Sequence, residues 1–178
     1  GVRDVTLLGQ TVNAYGRSLG APHSLATLLA SLADIPGLAR LSFVTSHPRF
    51  MDGALIDAVA SLPVVCGGLH LPAQSGSNAV LKRMGRGYTA ERYLEIIEKC
   101  RARIPGFAPA GDFIVGFPGE TEDDFRATED LMRAVRYQNV FVFKYSPRPG
   151  TRAAALVDDV PAEVKQARNA RLLALQRE

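Results

Sequence analysis

The chain has 178 residues, enough for one ordinary domain with a sizeable core. Apolar residues make up 47% and charged residues 22%, the composition of a soluble globular protein, and no apolar run is long enough to cross a bilayer. The net charge of +3 admits a polyanionic partner without requiring one, and two cysteines, Cys66 and Cys100, are too few and too far apart for a metal knuckle or a disulfide framework. Such sparse cysteine use fits a reducing, cytoplasmic setting, and the opening residues read as strand rather than as a secretory leader.

The predicted elements alternate along the chain. "DVTLLGQTV" (4–12) reads as a strand. "SLATLLASLADI" (24–35) is an amphipathic helix with Leu25, Leu28, Leu29 and Leu32 on one face. "RLSFVTSHP" (40–48) is a strand ended by Pro48, and "GALIDAVASL" (53–62) a short helix. "VVCGGLHLPAQ" (64–74) is a glycine-containing strand. "TAERYLEIIEKCRARI" (89–104) is a helix capped by Thr89, burying Tyr93, Ile96, Ile97 and Cys100. "FAPAGDFIVGF" (107–117) is a strand, and "TEDDFRATEDLMRAVR" (121–136) a helix opened by Thr121 and Asp124 in capping-box spacing. "VFVFKYS" (140–146) is the last strand and "PAEVKQARNARLLALQRE" (161–178) the last helix. There is no internal repeat, low-complexity tract or interdomain linker, so residues 1–178 read as one domain.

Strand and helix alternating five times is the pattern of a parallel sheet with crossover helices, an α/β fold, either doubly wound or barrel-like. In both, ligands sit at the carboxyl ends of the strands. Those ends carry the polar residues: Gly9, Gln10, Thr11 and Asn13; Thr45, Ser46 and His47; His70, Gln74, Ser75, Gly76 and Ser77; Asp112, Gly116 and Glu120; Lys144, Ser146, Arg148 and Gly150. A polar ligand on that one rim follows. Each piece also has a plainer explanation. "GFPGE" is good turn chemistry, "QSGSN" suits either a phosphate nest or a helix cap, and "KRMGRG" (82–87) is a basic loop of the kind usually just solvated. His47 and His70 lack partners at metal spacing, and Cys66 and Cys100 sit in apolar settings.

Taken together, "TLLGQTVNAYG", "TSHP", "LHLPAQSGSNAVLKRMGRGYT", "DFIVGFPGETEDDF" and "FKYSPRPGT" resemble the radical S-adenosylmethionine (SAM) methylthiotransferases over essentially the whole chain. The nearest branch acts on isopentenyl-adenosine next to the anticodon of tRNA. The branches acting on threonylcarbamoyl-adenosine or on a ribosomal-protein aspartate are rivals, and a barrel that binds a nucleotide without catalysis is another. "TSHP" and "AQSGS" have the tRNA form rather than the ribosomal-protein form.

The resemblance implies a partial (β/α) barrel of the TIM-like, radical SAM type, with SAM across the carboxyl-end rim. It implies that Gly9 and Gln10 hold the methionine amino group and that Thr45 reaches the ligand. Gln74 and Arg86 would hold the ribose and the methionine carboxylate, the guanidinium suiting a bidentate grip. Asp112 would accept ribose hydroxyls, Gly116 would let backbone approach the ligand, and Ser146 would lie near the adenine. The family's C-x₃-C-x₂-C loop, whose thiolates hold a [4Fe–4S] cluster, is not in this sequence. The chain is therefore expected to be a fragment of the catalytic barrel, inactive alone, without the cluster loop, the amino-terminal domain that carries a second cluster, or the carboxyl-terminal RNA-binding barrel. Ala73, Thr11 and Arg152 stand where the family usually has valine, asparagine and proline. The full-length protein is expected to be a cytoplasmic monomer that uses tRNA and an electron donor such as flavodoxin or ferredoxin.

Overall fold

Local signals set where the elements begin. The computed structural model describes residues 1–178, with β1 Asp4–Leu7, α1 Leu25–Ala33, β2 Arg40–Phe43, α2 Gly53–Ser61, β3 Gly68–His70, α3 Asn78–Arg83, α4 Ala90–Arg103, β4 Ala108–Val115, α5 Glu122–Val135, β5 Asn139–Lys144 and α6 Ala162–Leu175. Ser24 and Thr27 form a reciprocal capping box at α1, and Asp52 Oδ1 accepts the Leu55 N–H at 3.0 Å to start α2. Thr121 and Asp124 form the predicted box at α5, where three acidic residues in the first turn also face the positive end of the helix dipole. Every predicted helix is present, four of them within about two residues of both expected ends, the usual uncertainty of a helix boundary, while α6 stops at Leu175, three residues short of the expected end. The short helix α3 was not separately visible in the sequence, because six residues are too few to show a 3.6-residue period.

The strands are shorter than their apolar runs. The run 64–74 pairs as a strand only over Gly68–His70. Pro72 has no N–H to give, and Gln74 turns left-handed at φ +71°. The run 4–12 stops pairing after Leu7, and the run 40–48 after Phe43, with Thr45 left-handed at φ +64°. The strands form a two-stranded set, β1–β2, and a three-stranded set, β3–β4–β5, rather than a closed barrel.

The chain forms two compact units. The first comprises residues 1–72 and 95–110. In it β1 and β2 pair in parallel from Asp4↔Arg40 to Leu7↔Phe43, and Leu41 bridges Val65 in parallel. β3 pairs in parallel with the start of β4, from Gly68↔Ala108 to His70↔Ala110. α1 packs on α2, and Leu25, Leu29, Leu41, Leu55 and Ile56 are buried.

The second unit comprises residues 73–94 and 111–178. β5 lies beside β4, and Gln74 bridges Phe113 in parallel. α6 packs on β5 and α5. The turn between β4 and α5 is tied to α6 by a buried ion pair, Arg168 Nη1 to Glu120 Oε2 at 2.8 Å, and the same guanidinium donates to the Glu120 carbonyl at 3.1 Å. The Gly116 N–H donates to that carboxylate oxygen at 2.6 Å. Glu120 Oε1 and Arg168 Nε have no hydrogen-bond partner. Around this pair, Arg168 and Arg171 stack on Phe125 at 5.4 and 4.6 Å. Arg171 also bonds Glu122 at 2.8 Å and Glu129 at 2.7 Å.

Burial holds the Glu120 carboxyl above its ordinary range, against the opposing pull of the Gly116 N–H and Arg168. Arg168→Met should lower the unfolding free energy by about 3–5 kcal/mol near neutral pH, the cost of stranding a buried charge. A carboxyl whose pKa is raised by folding contributes stability below its unfolded value, and that contribution is lost as pH rises through the folded value. The variant raises Glu120 further, so its penalty should shrink as pH falls toward the ordinary carboxylate range. Denaturant unfolding across that range checks this; a penalty unchanged by pH would mean that Glu120 is not charged against Arg168.

Candidate functional site

A cavity of about 620 Å³ opens in the second unit, between the end of β4, the loop after α3 and the segment after β5. β4 presents alternate residues to it. Asp112 and Ile114 line the cavity, while Phe113 and Val115 point into the core. Phe113 meets the Tyr137 ring edge-on at 5.6 Å, and the Tyr137 hydroxyl donates to the Tyr93 hydroxyl at 2.8 Å. Burial pushes the Tyr137 phenol well above its ordinary value, helped by Tyr93, Tyr88 and Asp112 nearby. A carboxylate so placed is backed by neutral, rigid aromatic side chains.

Gln74 sits on the cavity wall in a conformation that costs an L-residue energy. It is held there by main-chain bonds: its N–H donates to the Asp112 carbonyl at 2.8 Å, and its carbonyl accepts the Ile114 N–H at 2.9 Å. The backbone geometry thus fixes Gln74 and Asp112 as neighbours whatever their side chains do. Arg86 comes from the basic loop, where its N–H donates to the Leu81 carbonyl at 3.0 Å. Its Nε is buried without a hydrogen-bond partner in the chain. Tyr88 anchors the same loop by donating to the Ala73 carbonyl at 3.1 Å. Burial pushes its phenol up to about 12, with the Arg86 charge pulling the other way. The Tyr88 hydroxyl therefore joins the loop carrying Arg86 to the backbone beside Gln74.

Four of the residues that the resemblance assigns to SAM line this cavity together, Gln74, Arg86, Asp112 and Ser146, and Lys144 and Arg148 from the predicted rim line it too. Gly116 is one residue outside it. Its φ of +70° needs glycine, and an added Cβ would come within 2.3 Å of Lys165 Cγ, so the close neighbour is a side chain of α6. Gly9, Gln10 and Thr45 belong to the first unit and are not among the lining residues. Gly9 and Gln10 are exposed after β1. The Thr45 N–H donates to His70 Nδ1 at 3.3 Å, and its carbonyl accepts the Val12 N–H at 3.1 Å.

The plainer readings hold at two places. "QSGSN" is a cap: Ser77 accepts the Val80 N–H at 3.3 Å, and the Gly76 N–H goes to Thr128 Oγ1 at 2.9 Å instead of facing a ligand. Both histidines named from the sequence bond to main chain, His47 Nδ1 accepting the Arg49 N–H at 3.2 Å. Cys100 is buried and Cys66 half-buried, and no group of three His, Cys, Asp or Glu side chains is placed to hold a metal ion. Phe143, Arg152 and Tyr88 were not chosen from the sequence. An exposed aromatic in an apolar strand looks like a core residue until its neighbours are known.

The sequence model described as "Radical SAM superfamily" matches residues 1–132. A protein of Pelobacter propionicus named tRNA-2-methylthio-N(6)-dimethylallyladenosine synthase is 54% identical over 99% of this chain, which covers 40% of that protein. Proteins of the same name from Geotalea uraniireducens and Geobacter sulfurreducens are each 53% identical over 99% and 100% of this chain, again covering 40% of theirs. The chain thus spans about 40% of the length of the curated relatives it matches. Among solved structures, coproporphyrinogen III oxidase from Escherichia coli, described as a radical SAM enzyme, superposes with a TM-score of 0.71 at 19% identity over 98% of this chain and 41% of its own. Methylornithine synthase does so at 0.59 and 15% identity, over 99% of this chain and 49% of its own.

The left-handed backbone at Gln74 has a measurable signature. Gln74→Gly should be more stable than Gln74→Ala by about 1 kcal/mol, the reverse of their order at an ordinary position. Denaturant unfolding of both variants decides it; equal stabilities would remove the strain from this wall of the cavity.

Proposed function

We propose that this chain, which belongs to the radical SAM superfamily, is the SAM-gripping part of an enzyme that methylthiolates isopentenyl-adenosine next to the anticodon of tRNA. The observation that carries the reading is identity above one half, along nearly all of the chain, to proteins named for that reaction. It favours this branch over those acting on threonylcarbamoyl-adenosine or on a protein aspartate.

The second-unit cavity supports the reading because its donor set suits SAM. Arg86 offers a guanidinium with a buried, unpartnered Nε, the kind of group that a carboxylate satisfies by a charge-assisted bond. Asp112 would accept hydrogen bonds from the hydroxyls of a ribose. Ile114 and Phe117 keep water from the ligand, and Gln74 adds an amide that both donates and accepts. Ser146 would face the adenine. The roles of Gly9, Gln10 and Thr45 at the methionine end rest on the family resemblance alone. When bound, SAM supplies the radical chemistry that opens an unactivated C–H bond. The side chains present do not fit an iron–sulfur cluster, and no cluster chemistry is assigned to this chain. The reading brings with it a tRNA partner, a one-electron donor such as flavodoxin or ferredoxin, and a monomer at work in the cytoplasm. No helix is long and apolar enough to cross a membrane.

The full-length gene product, expressed in cells that lack this tRNA modification, should restore the 2-methylthio nucleoside in hydrolysed tRNA, detected by mass spectrometry. Isopentenyl-adenosine left without its methylthio group would overturn the proposal. In the purified full-length protein, Arg86→Ala should weaken SAM binding by about 10- to 100-fold, the loss of one charge-assisted contact of ~1.5–3 kcal/mol. Arg86→Lys should recover only part of it, because an ammonium does not reproduce the planar fork. Asp112→Asn should weaken SAM about tenfold or more while thermal stability holds. Lost stability with intact SAM binding would make Asp112 a turn residue.

A further inference from the structure

The cavity carries more positive charge than SAM needs. Its lining includes Arg83, Arg86, Lys144, Arg148 and Arg152 against the single carboxylate of Asp112. SAM itself sets a sulfonium and an ammonium against one carboxylate, so it is a net cation. One guanidinium satisfies its carboxylate, and every further unpaired cation repels it. Two of the remaining cations are engaged within the chain: Arg83 donates to the Gly119 carbonyl at 3.0 Å and lies 3.6 Å from Asp124, and Lys144 donates to Gln166 at 2.7 Å. Arg148 and Arg152 are exposed, and their guanidinium groups have no ion pair or hydrogen bond. No aspartate or glutamate occurs from Leu131 through Val157, and the next two acids are engaged elsewhere, Asp158 with Lys165 and Asp159 with the Gly119 N–H.

These two arginines stand on a built turn. Arg148-Pro149-Gly150-Thr151 closes with the Thr151 N–H donating to the Arg148 carbonyl at 3.2 Å, and Gly150 at φ +80° has the left-handed angle of the third position of a type II turn. The Thr151 hydroxyl donates to the same carbonyl at 2.8 Å. The Tyr145 hydroxyl then ties down the short helical turn that holds Arg152, by donating to the Ala153 carbonyl at 2.9 Å. Beside them Phe143, on β5, lines the cavity yet is 53% exposed. An accessible aromatic ring next to unpaired guanidinium groups is the combination that holds single-stranded nucleic acid, the ring stacking on a base and the cations taking phosphates.

We infer that Phe143, Arg148 and Arg152 grip the RNA substrate, Phe143 stacking on a nucleobase and the two arginines contacting phosphates of the unpaired strand. The inference rests on the proposed tRNA reaction and adds to it the residues that hold the RNA. An acidic protein would also be drawn to the two arginines, but Phe143 stands on the wall of a cavity of about 620 Å³, a space that admits an extruded base rather than a broad protein face.

The test uses the full-length protein and a fluorescent anticodon stem-loop RNA carrying isopentenyl-adenosine. Arg148→Ala/Arg152→Ala should bind this RNA at least tenfold more weakly, and the slope of log affinity against log salt should flatten by about 1.4, the release of ions from two single-stranded phosphates. Phe143→Leu should also weaken binding about tenfold, with the salt slope unchanged. SAM affinity should stay within about twofold in all variants, which also shows that they are folded. Unchanged RNA affinity and slope would overturn the inference while leaving the proposed reaction standing. Loss of SAM binding alongside RNA binding would overturn it in favour of a SAM contact. Normal RNA binding with slower reduction by an acidic electron-carrier protein would overturn it in favour of a protein-docking face. A parent protein that binds the stem-loop no better than an equal length of duplex DNA would sink both the inference and the proposed tRNA reaction.

Discussion

The second unit turns on the Glu120 carboxylate. It is the point where the end of β4, the start of α5 and the middle of α6 meet, because one oxygen accepts both the Gly116 N–H and the Arg168 guanidinium. A charge in such a place is tolerated only when paired and hydrogen-bonded. Once paired, it fixes the direction in which the chain leaves β4, and hence the position of Phe117 on the cavity wall. The Gly-Phe-Pro-Gly turn that ends β4 thus has a carboxylate on each side with a different setting. Asp112, before the turn, faces the cavity. Glu120, after it, faces the core.

Backbone geometry sets part of the cavity wall. Gln74 is held left-handed by two main-chain bonds to β4. In the first unit, and apart from this cavity, Thr45 is left-handed although β-branched, a rare state. Strain of this kind persists only where the surroundings determine it, and it gathers at ligand-binding sites. Tyr88 extends the same logic to the basic loop. Its hydroxyl joins that loop to the carbonyl of Ala73, so the guanidinium of Arg86 and the amide of Gln74 share one support.

Charge then divides the cavity wall by task. Near β4 and the basic loop, single groups of each kind occur: one carboxylate, one guanidinium with an open Nε and one amide. Such a set would suit a small ligand that carries its own separated charges, as the proposed SAM does. Beyond β5 the wall is cationic and aromatic, with its positive charge unbalanced. A polyanion with flat bases would balance that charge, whereas a small net cation such as SAM would not. The two sets of groups sit on one cavity, which is the arrangement that the proposed reaction between a bound nucleoside cofactor and a nucleotide of RNA would use.

The sequence by itself determined what depends on near neighbours in the chain. Apolar periodicity placed all ten of the elements it named, and the spacing of Thr121 and Asp124 gave the α5 cap. The burial of Tyr93, Ile96, Ile97 and Cys100 on α4 was also legible, because a helix face follows from its 3.6-residue period. Motifs after the strands brought out Gln74, Arg86, Asp112 and Ser146, which line one cavity. Tertiary structure alone decided what depends on distant partners. Gly116 is constrained by Lys165 and Glu120 is paired with Arg168, and nothing in "DFIVGFPGET" announces α6. Strand ends were set by Pro72 and by left-handed residues rather than by where the apolar runs stop. Phe143 reads as core in an apolar run, yet half of it is open to solvent, because exposure depends on what packs across a strand and that is written elsewhere in the chain.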